Sequence, residues 1–228
     1  MTDNRITIQG EEVSLLPERA AYWHKEKALL VADPHWGKAA TFRAEGIPVP
    51  SGTTREAIER LSSIIHRTDA ERVIFLGDLL HAKEGRSQSM FTALREWRDA
   101  LSNVEVVLVR GNHDRRAGDP PLDLRITCVD APFPAPPFLF AHHPVPSDDG
   151  YVIAGHIHPA IRLSGRARQS ARLPCFLIGD QLAILPAFGD FTGVADIDPA
   201  PEDRVFAIVE DDVIELDHSV QNDSRPPT

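Results

Sequence analysis

Five short apolar runs in this sequence each end in a small cluster of aspartate, asparagine or histidine. "ALLVA" (28–32) runs into "DPH", "RVIFL" (72–76) into "GD", "VEVVLV" (104–109) into "RGNHD", "FLFA" (138–141) into "HHP" and "YVIA" (151–154) into "GHIH". Short runs rich in Val, Ile, Leu and Phe, bounded by Gly or Pro, read as buried strands. Stacking such strands side by side brings their polar ends to one edge. Open α/β sheets carry their sites at the carboxyl ends of their strands.

Two helices are expected between the early strands. In "TTREAIERLSSIIHR", Ala57, Ile58, Leu61, Ile64 and Ile65 fall on one face. Thr53 and Glu56 have capping-box spacing at its start. In "SMFTALREWRDAL", Met90, Phe91, Leu94, Trp97 and Leu101 form a second apolar stripe. Both helices are expected to face the core. Later runs, "CFLIG", "QLAIL", "VFAIV" and "VIEL", lack helical periodicity and read as a meander. Two packed sheets flanked by helices accommodate both halves.

The chain has 228 residues, 42 % of them apolar and 25 % charged, an ordinary composition for a globular protein. One domain over 1–218 is expected, followed by a polar, Pro-rich and disordered tail, 219–228. The net charge of −10 runs against nonspecific nucleic-acid binding, which favours basic chains. An anionic substrate must therefore be held by local positive charge, from metal ions or an arginine cluster. Cys128 and Cys175 have no paired spacing, so no disulfide framework or zinc finger is expected. The apolar runs are far shorter than the roughly 20 residues that span a bilayer. With no secretory signal in "MTDNRITIQG", the expectation is a cytoplasmic protein that does not engage membranes.

The polar ends supply metal-ligand chemistry. Asp33 and His35 are two residues apart, as are His156 and His158, and in extended chain such pairs point the same way. Asp78 and Asn112 each follow a glycine, and His142 ends the next strand. These seven O and N ligands suffice for two divalent ions if one carboxylate bridges. Mixed carboxylate, imidazole and amide ligation suits Mn²⁺ first, with Fe or Zn²⁺ as alternatives. Two such ions clamp a phosphoryl group and activate water. In "AHHP" His142 is taken as the ligand and His143 then points to substrate or to a supporting position; the alternative makes His143 the ligand.

The ordered set "DPH" (33–35), "GD" (77–78), "GNHD" (111–114), "H" (142) and "GHIH" (155–158) resembles the calcineurin-like metallophosphoesterase superfamily. The resemblance implies a four-layer α/β/β/α sandwich with a dinuclear centre. Asp78 would bridge; Asp33, His35 and His158 would hold one ion, and Asn112, His142 and His156 the other. It further implies in-line attack on phosphorus by a hydroxide between the ions, with His113 protonating the leaving oxygen. Asp114 would then orient His113 by a hydrogen bond, or else cap a turn.

The Asp-Arg-Gly that phosphoprotein phosphatases of this superfamily carry after the GD is replaced here by "GDLLHAKEG". The stretches 32–54, 155–163 and 172–194 resemble the bacterial ligase-associated DNA damage response endonucleases of PdeM type. That resemblance implies a DNA endonuclease in repair, associated with a DNA ligase, a helicase and an exonuclease. Arg110, Arg115, Arg116, Lys38 and Arg43 flank the motifs, and Arg162, Arg166, Arg168 and Arg172 follow them. They form either a backbone-tracking rim or solvated loops. His81 either lines the pocket or sits on a surface loop. Phe188 and Phe191 either stack on substrate or belong to core and turn. The alternative function is hydrolysis of a small nucleotide or nucleotide-lipid diester, and the remaining one a noncatalytic scaffold. Oligomeric state is not legible.

Overall fold

A computed structural model describes residues 3–49, 52–164, 170–190 and 192–217. The expected tail, 219–228, lies outside the described residues, as do Arg166, Arg168 and Phe191. No described helix is long and apolar enough to cross a membrane.

Two sheets pack face to face. The first has seven strands in chain order: β1 (Asn4–Ile8), β2 (Glu11–Leu16), β3 (Ala20–Trp23), β4 (Ala28–Val31), β5 (Arg72–Phe75), β6 (Glu105–Val109) and β7 (Thr127–Val129). Strands β1 to β4 pair antiparallel, and β4 to β7 parallel. The parallel strands read as unbroken apolar runs because both of their faces are buried. Along β4, Leu29 and Val31 face the helices, while Ala28 and Leu30 face the second sheet. Along β5, Val73 and Phe75 face the helices and Ile74 the second sheet.

The helices α1 (Lys38–Ala44), α2 (Thr53–Thr68), α3 (Gln88–Ala100) and α4 (Asn112–Ala117) all precede the second sheet in the chain. Helix α2 buries Ala57, Ile58, Leu61, Ile64 and Ile65, the expected stripe. The expected capping box does not form there. Thr53 is already helical, and Gly52, which has no side chain, occupies the cap. Helix α3 is capped by Ser87, whose hydroxyl accepts from the Met90 amide at 3.2 Å.

The second sheet holds β8 (Phe133–Ala135), β9 (Phe138–Phe140), β10 (Tyr151–Ala154), β11 (Pro159–Ser164), β12 (Ser170–Ile178), β13 (Leu182–Ile184), β14 (Ala195–Asp196), β15 (Arg204–Val209) and β16 (Asp212–Leu216). Its path runs β14-β11-β12-β13-β10-β9-β8, with β15 also on β12 and β16 on β15. Phe138, Phe140, Phe176 and Phe206 meet Trp23, Leu15 and Leu30 between the sheets. This is the mixed α/β sandwich expected of the metallophosphoesterase type. Among the described residues, helices cover only the first sheet. Two of the parallel crossovers of the second sheet, β9 to β10 and β10 to β13, are made by a loop and by the β11–β12 hairpin, with no helix among the described residues.

Candidate metal centre

The carboxyl ends of β4, β5, β6, β9 and β10 meet at one edge of the sandwich. Asp33 (φ 52°), His35 (47°), Asp78 (51°), His156 (71°) and His158 (54°) all have left-handed backbone. Such a conformation costs about 1–3 kcal/mol for a non-glycine residue and persists where surrounding structure imposes it. The extended presentation expected of the two i, i+2 pairs is thus corrected: each pair sits in a left-handed turn. The turn is imposed because the first motif zips against the second. The His35 amide donates to the Asp78 carbonyl at 2.9 Å, Trp36 to Leu79 at 2.8 Å, and His81 back to Trp36 at 3.1 Å.

Two ligand sets converge. In one, His35 Nε2 lies 3.4 Å from His158 Nε2, which lies 3.5 Å from Asp33 Oδ1. In the other, His142 Nε2 lies 2.9 Å from Asn112 Oδ1 and 3.0 Å from His156 Nδ1. Asp78 Oδ2 stands between them, 3.9 Å from His35 Nε2 and 3.4 Å from His142 Nε2. His143 is exposed, its ring centroid 4.2 Å from that of His156. It can join the second set, whereas His142 is buried in it.

The donor chemistry of these residues fits cations. His142 Nδ1 donates to the Leu76 carbonyl at 3.1 Å, and His158 Nδ1 to the Gly193 carbonyl at 2.8 Å. Each bond fixes the tautomer and turns a bare Nε2 lone pair toward the centre. The His142 lone pair therefore faces another acceptor, Asn112 Oδ1. Asp33 Oδ1 is buried without any hydrogen-bond partner. An unpartnered buried carboxylate oxygen beside an amide oxygen and imidazole nitrogens is a donor set that fits divalent ions.

Glycines set how closely the motifs approach. Gly77 has φ 83°, and a Cβ there would collide with the His142 ring. Gly77→Ala is expected to displace His142 and weaken Mn²⁺ binding about 10–100-fold, the usual effect of disturbing a ligand's support. Calorimetric titration checks this, and unchanged affinity would contradict it.

Charge is finely placed here. Burial, with Lys38 nearby, holds the His35 imidazole down at about 2. The same causes hold His81 at about 4. Burial, aided by the neighbouring Asp33, pushes the Asp78 carboxyl up to about 7, against the opposing His113 amide bond. A metal ion must therefore displace a proton from Asp78 below pH 7 and none from His35. Mn²⁺ uptake by metal-free protein is expected to release at least about one proton per chain at pH 6 and little at pH 8.5. Titration in buffers of different ionisation enthalpy measures this. Equal release at both values would contradict the placement.

His113 and Asp114 sit on the first turn of α4. The expected Asp114–His113 hydrogen bond is absent, and the turn-capping alternative holds. Asp114 is fully buried, accepting from the Leu80 and Gly111 amides at 3.0 Å each. It cannot also turn toward the imidazole. His113 is oriented instead by the His81 carbonyl, which accepts from its Nδ1 at 2.7 Å. His81 does line the site: its ring stacks on that of His113 at 4.8 Å and 20°.

The arginine rim is largely neutralised. Arg110 is bidentate with Asp119 at 2.7 and 2.8 Å, and Arg115 reaches Asp130 at 3.0 Å. Arg162 and Arg172 share Asp196 at 3.1 and 2.7 Å. Arg43 is exposed and reaches the Val49 carbonyl at 3.4 Å. Lys38 is half-buried close to the centre. Phe188 belongs to the helix-side core.

Sequence reasoning missed the support given by 188–190 and 192–193. The Phe188 amide donates to Ala32, and Gly189 packs on the Pro34 carbonyl. Arg60 of α2 clamps this segment through Asp190 and the Phe188 carbonyl. Backbone carbonyls carry no side-chain signal, so Gly193 and His81 could not have been singled out as orienting groups.

A family model described as calcineurin-like phosphoesterase matches residues 27–165. The solved structure of Pseudomonas putida nuclease MPE is similar at 41 % identity and a TM-score of 0.83, covering 94 % of this chain and 100 % of that one. A phosphoesterase from E. coli, Yfce, is similar at 12 % identity and a TM-score of 0.40, covering 83 % and 97 %. The search of curated proteins gives no match.

Proposed function

This chain belongs to the calcineurin-like phosphoesterase family and is a metal-dependent phosphoesterase, and from that premise we propose that it is a DNA nuclease. The reading is an endonuclease acting in DNA repair, alongside a DNA ligase, a helicase and an exonuclease. The observation that carries it is the 41 % identity across the full length of Pseudomonas putida nuclease MPE.

Asp33, His35 and His158 would hold one divalent ion, and Asn112, His142 and His156 the other, with Asp78 shared. Mn²⁺ suits this mixture of oxygen and imidazole donors. When bound, such ions supply an activated water and neutralise charge that builds on phosphoryl oxygens. His113 delivers a proton to the leaving oxygen. Its Nδ1 is occupied by the His81 carbonyl, and its Nε2 lies 3.9 Å from Asp78 Oδ2, facing the centre. The buried Asp114 holds the turn that carries it.

The paired state of Arg110, Arg115, Arg162 and Arg172 favours a second reading, a small diester as substrate. Circular single-stranded DNA with Mn²⁺ separates the two, with Asp78→Asn run beside the wild type. Linear products from the wild type alone support the endonuclease, since a circle offers no end. Intact circles with bis(p-nitrophenyl) phosphate hydrolysed would overturn it in favour of the small diester.

A further inference from the structure

The chain has four lysines. Lys25 and Lys27 pair at the surface with Glu11 and Glu71, at 2.8 and 2.5 Å, and Lys83 is exposed. Lys38 differs. It opens α1, three residues beyond His35, and is half-buried. Among the described residues it has no ion-pair or side-chain hydrogen-bond partner. The Phe42 ring, one turn on, lies 5.7 Å from its ammonium.

An ammonium drawn partly out of water without a counter-ion costs free energy. Burial lowers its pKa, while the charges of Asp78 and Asp33 act the other way. Those carboxylates are the groups that divalent ions would neutralise, and the ions would themselves repel a nearby cation. The position lacks an anion, which a substrate can bring.

Lys38 shares a recess with His35, Thr53, Thr54, Asp190 and Thr192. Of the seven candidate ligands, only His35 lines it. A phosphate there would lie beside the reacting one, not in its place. The Asp190 carboxylate is already taken up by Arg60, at 2.9 and 3.0 Å, and by Arg19 at 3.5 Å. Thr192 donates to the Gly189 carbonyl. Among the described residues, the Thr53 and Thr54 hydroxyls and the ammonium remain for a ligand.

We propose that Lys38 binds the phosphate flanking the scissile one, making this recess a subsite for polynucleotides that a one-phosphate diester leaves empty. The proposal rests on the nuclease reading. It explains how an acidic chain with a neutralised arginine rim could still prefer DNA.

The test uses full-length, Mn²⁺-loaded protein with a short single-stranded DNA and with bis(p-nitrophenyl) phosphate. Lys38→Ala is expected to lower kcat/KM on DNA roughly tenfold more than on the small diester, chiefly through KM. The slope of log kcat/KM against log salt should become shallower by about one phosphate contact. Lys38→Arg should recover most of the loss. An uncharged methylphosphonate beside the scissile linkage should cost the wild type as much as the substitution does. It should cost Lys38→Ala nothing further. Equal losses on both substrates overturn the subsite, as does a methylphosphonate penalty undiminished in Lys38→Ala. A wild type that hydrolyses the small diester but cuts no DNA overturns instead the nuclease reading beneath it.

Discussion

Asp78→Ala is expected to abolish metal loading and hydrolysis together, lowering kcat/KM by about 10³-fold or more, in line with losing a shared ion ligand. Asp78 Oδ2 faces His35 and His142, while Oδ1 accepts from the His113 amide at 2.9 Å. Asp33 Oδ1 also comes within 3.6 Å of His142, but on its Nδ1 side, which the Leu76 carbonyl occupies. Gly111 packs so close to the Asp78 carboxylate that no side chain could replace its contacts from that side. Asp78→Asn keeps the shape and separates function from folding. In metal-free wild type the raised pKa means that the protonated carboxyl stabilises the fold, and that contribution is lost as pH rises through about 7. The asparagine variant has no such charge to bury. Its melting temperature without metal is therefore expected to exceed that of the wild type at pH 8.5, by several degrees. The gap should narrow steadily as pH falls below about 7 and close only near the unfolded carboxyl value of about 4. Thermal melts in EDTA measure the difference, in which the titrations common to both proteins cancel. An asparagine variant that melts lower at pH 8.5 would contradict the burial of an uncompensated carboxylate.

His113→Ala should separate chemistry from metal binding. Both ions should be retained, because neither of the two proposed ligand sets includes this ring, although it also lies within reach of His35 and His81. The rate on DNA should drop about 10²–10⁴-fold, the range of a lost general acid. The loss on bis(p-nitrophenyl) phosphate should be much smaller, since nitrophenolate leaves without a proton. Metal analysis and kinetics on both substrates check this together. A variant at full rate on DNA would remove His113 from the chemistry.

The strands that end in ligands were legible because two buried faces demand continuous apolar runs, as in Val73 to Leu76. Helices α2 and α3 were legible because Ile58, Leu61 and Ile65, or Leu94 and Trp97, recur at helical spacing. The hairpins β1 to β3 escaped notice, although Ile6, Ile8, Val13 and Leu15 alternate with polar neighbours as half-buried strands do. The candidate ligands could be read as residue types in order. Their geometry could not. Left-handed turns at Asp33 and His158 follow from backbone pairing between distant segments. The same holds for Asp114, whose local alternatives, cap or orienting group, are decided by the Leu80 amide from another strand's loop. The arginines misled for a related reason: Asp119, Asp130 and Asp196 lie 9 to 34 residues away in sequence, and only the fold sets them opposite. Lys38 drew notice by position, but its lack of a partner is a property of the folded molecule.

The proposed centre is a pair of metal ions held by one shared carboxylate, Asp78. Metal-free protein titrated with Mn²⁺ and followed by electron paramagnetic resonance tests it most directly. Two ions per chain with an exchange-coupled signal are expected, and Asp78→Asn should show neither the coupling nor the second ion. A single ion per chain, or two that remain magnetically independent, would contradict the claim.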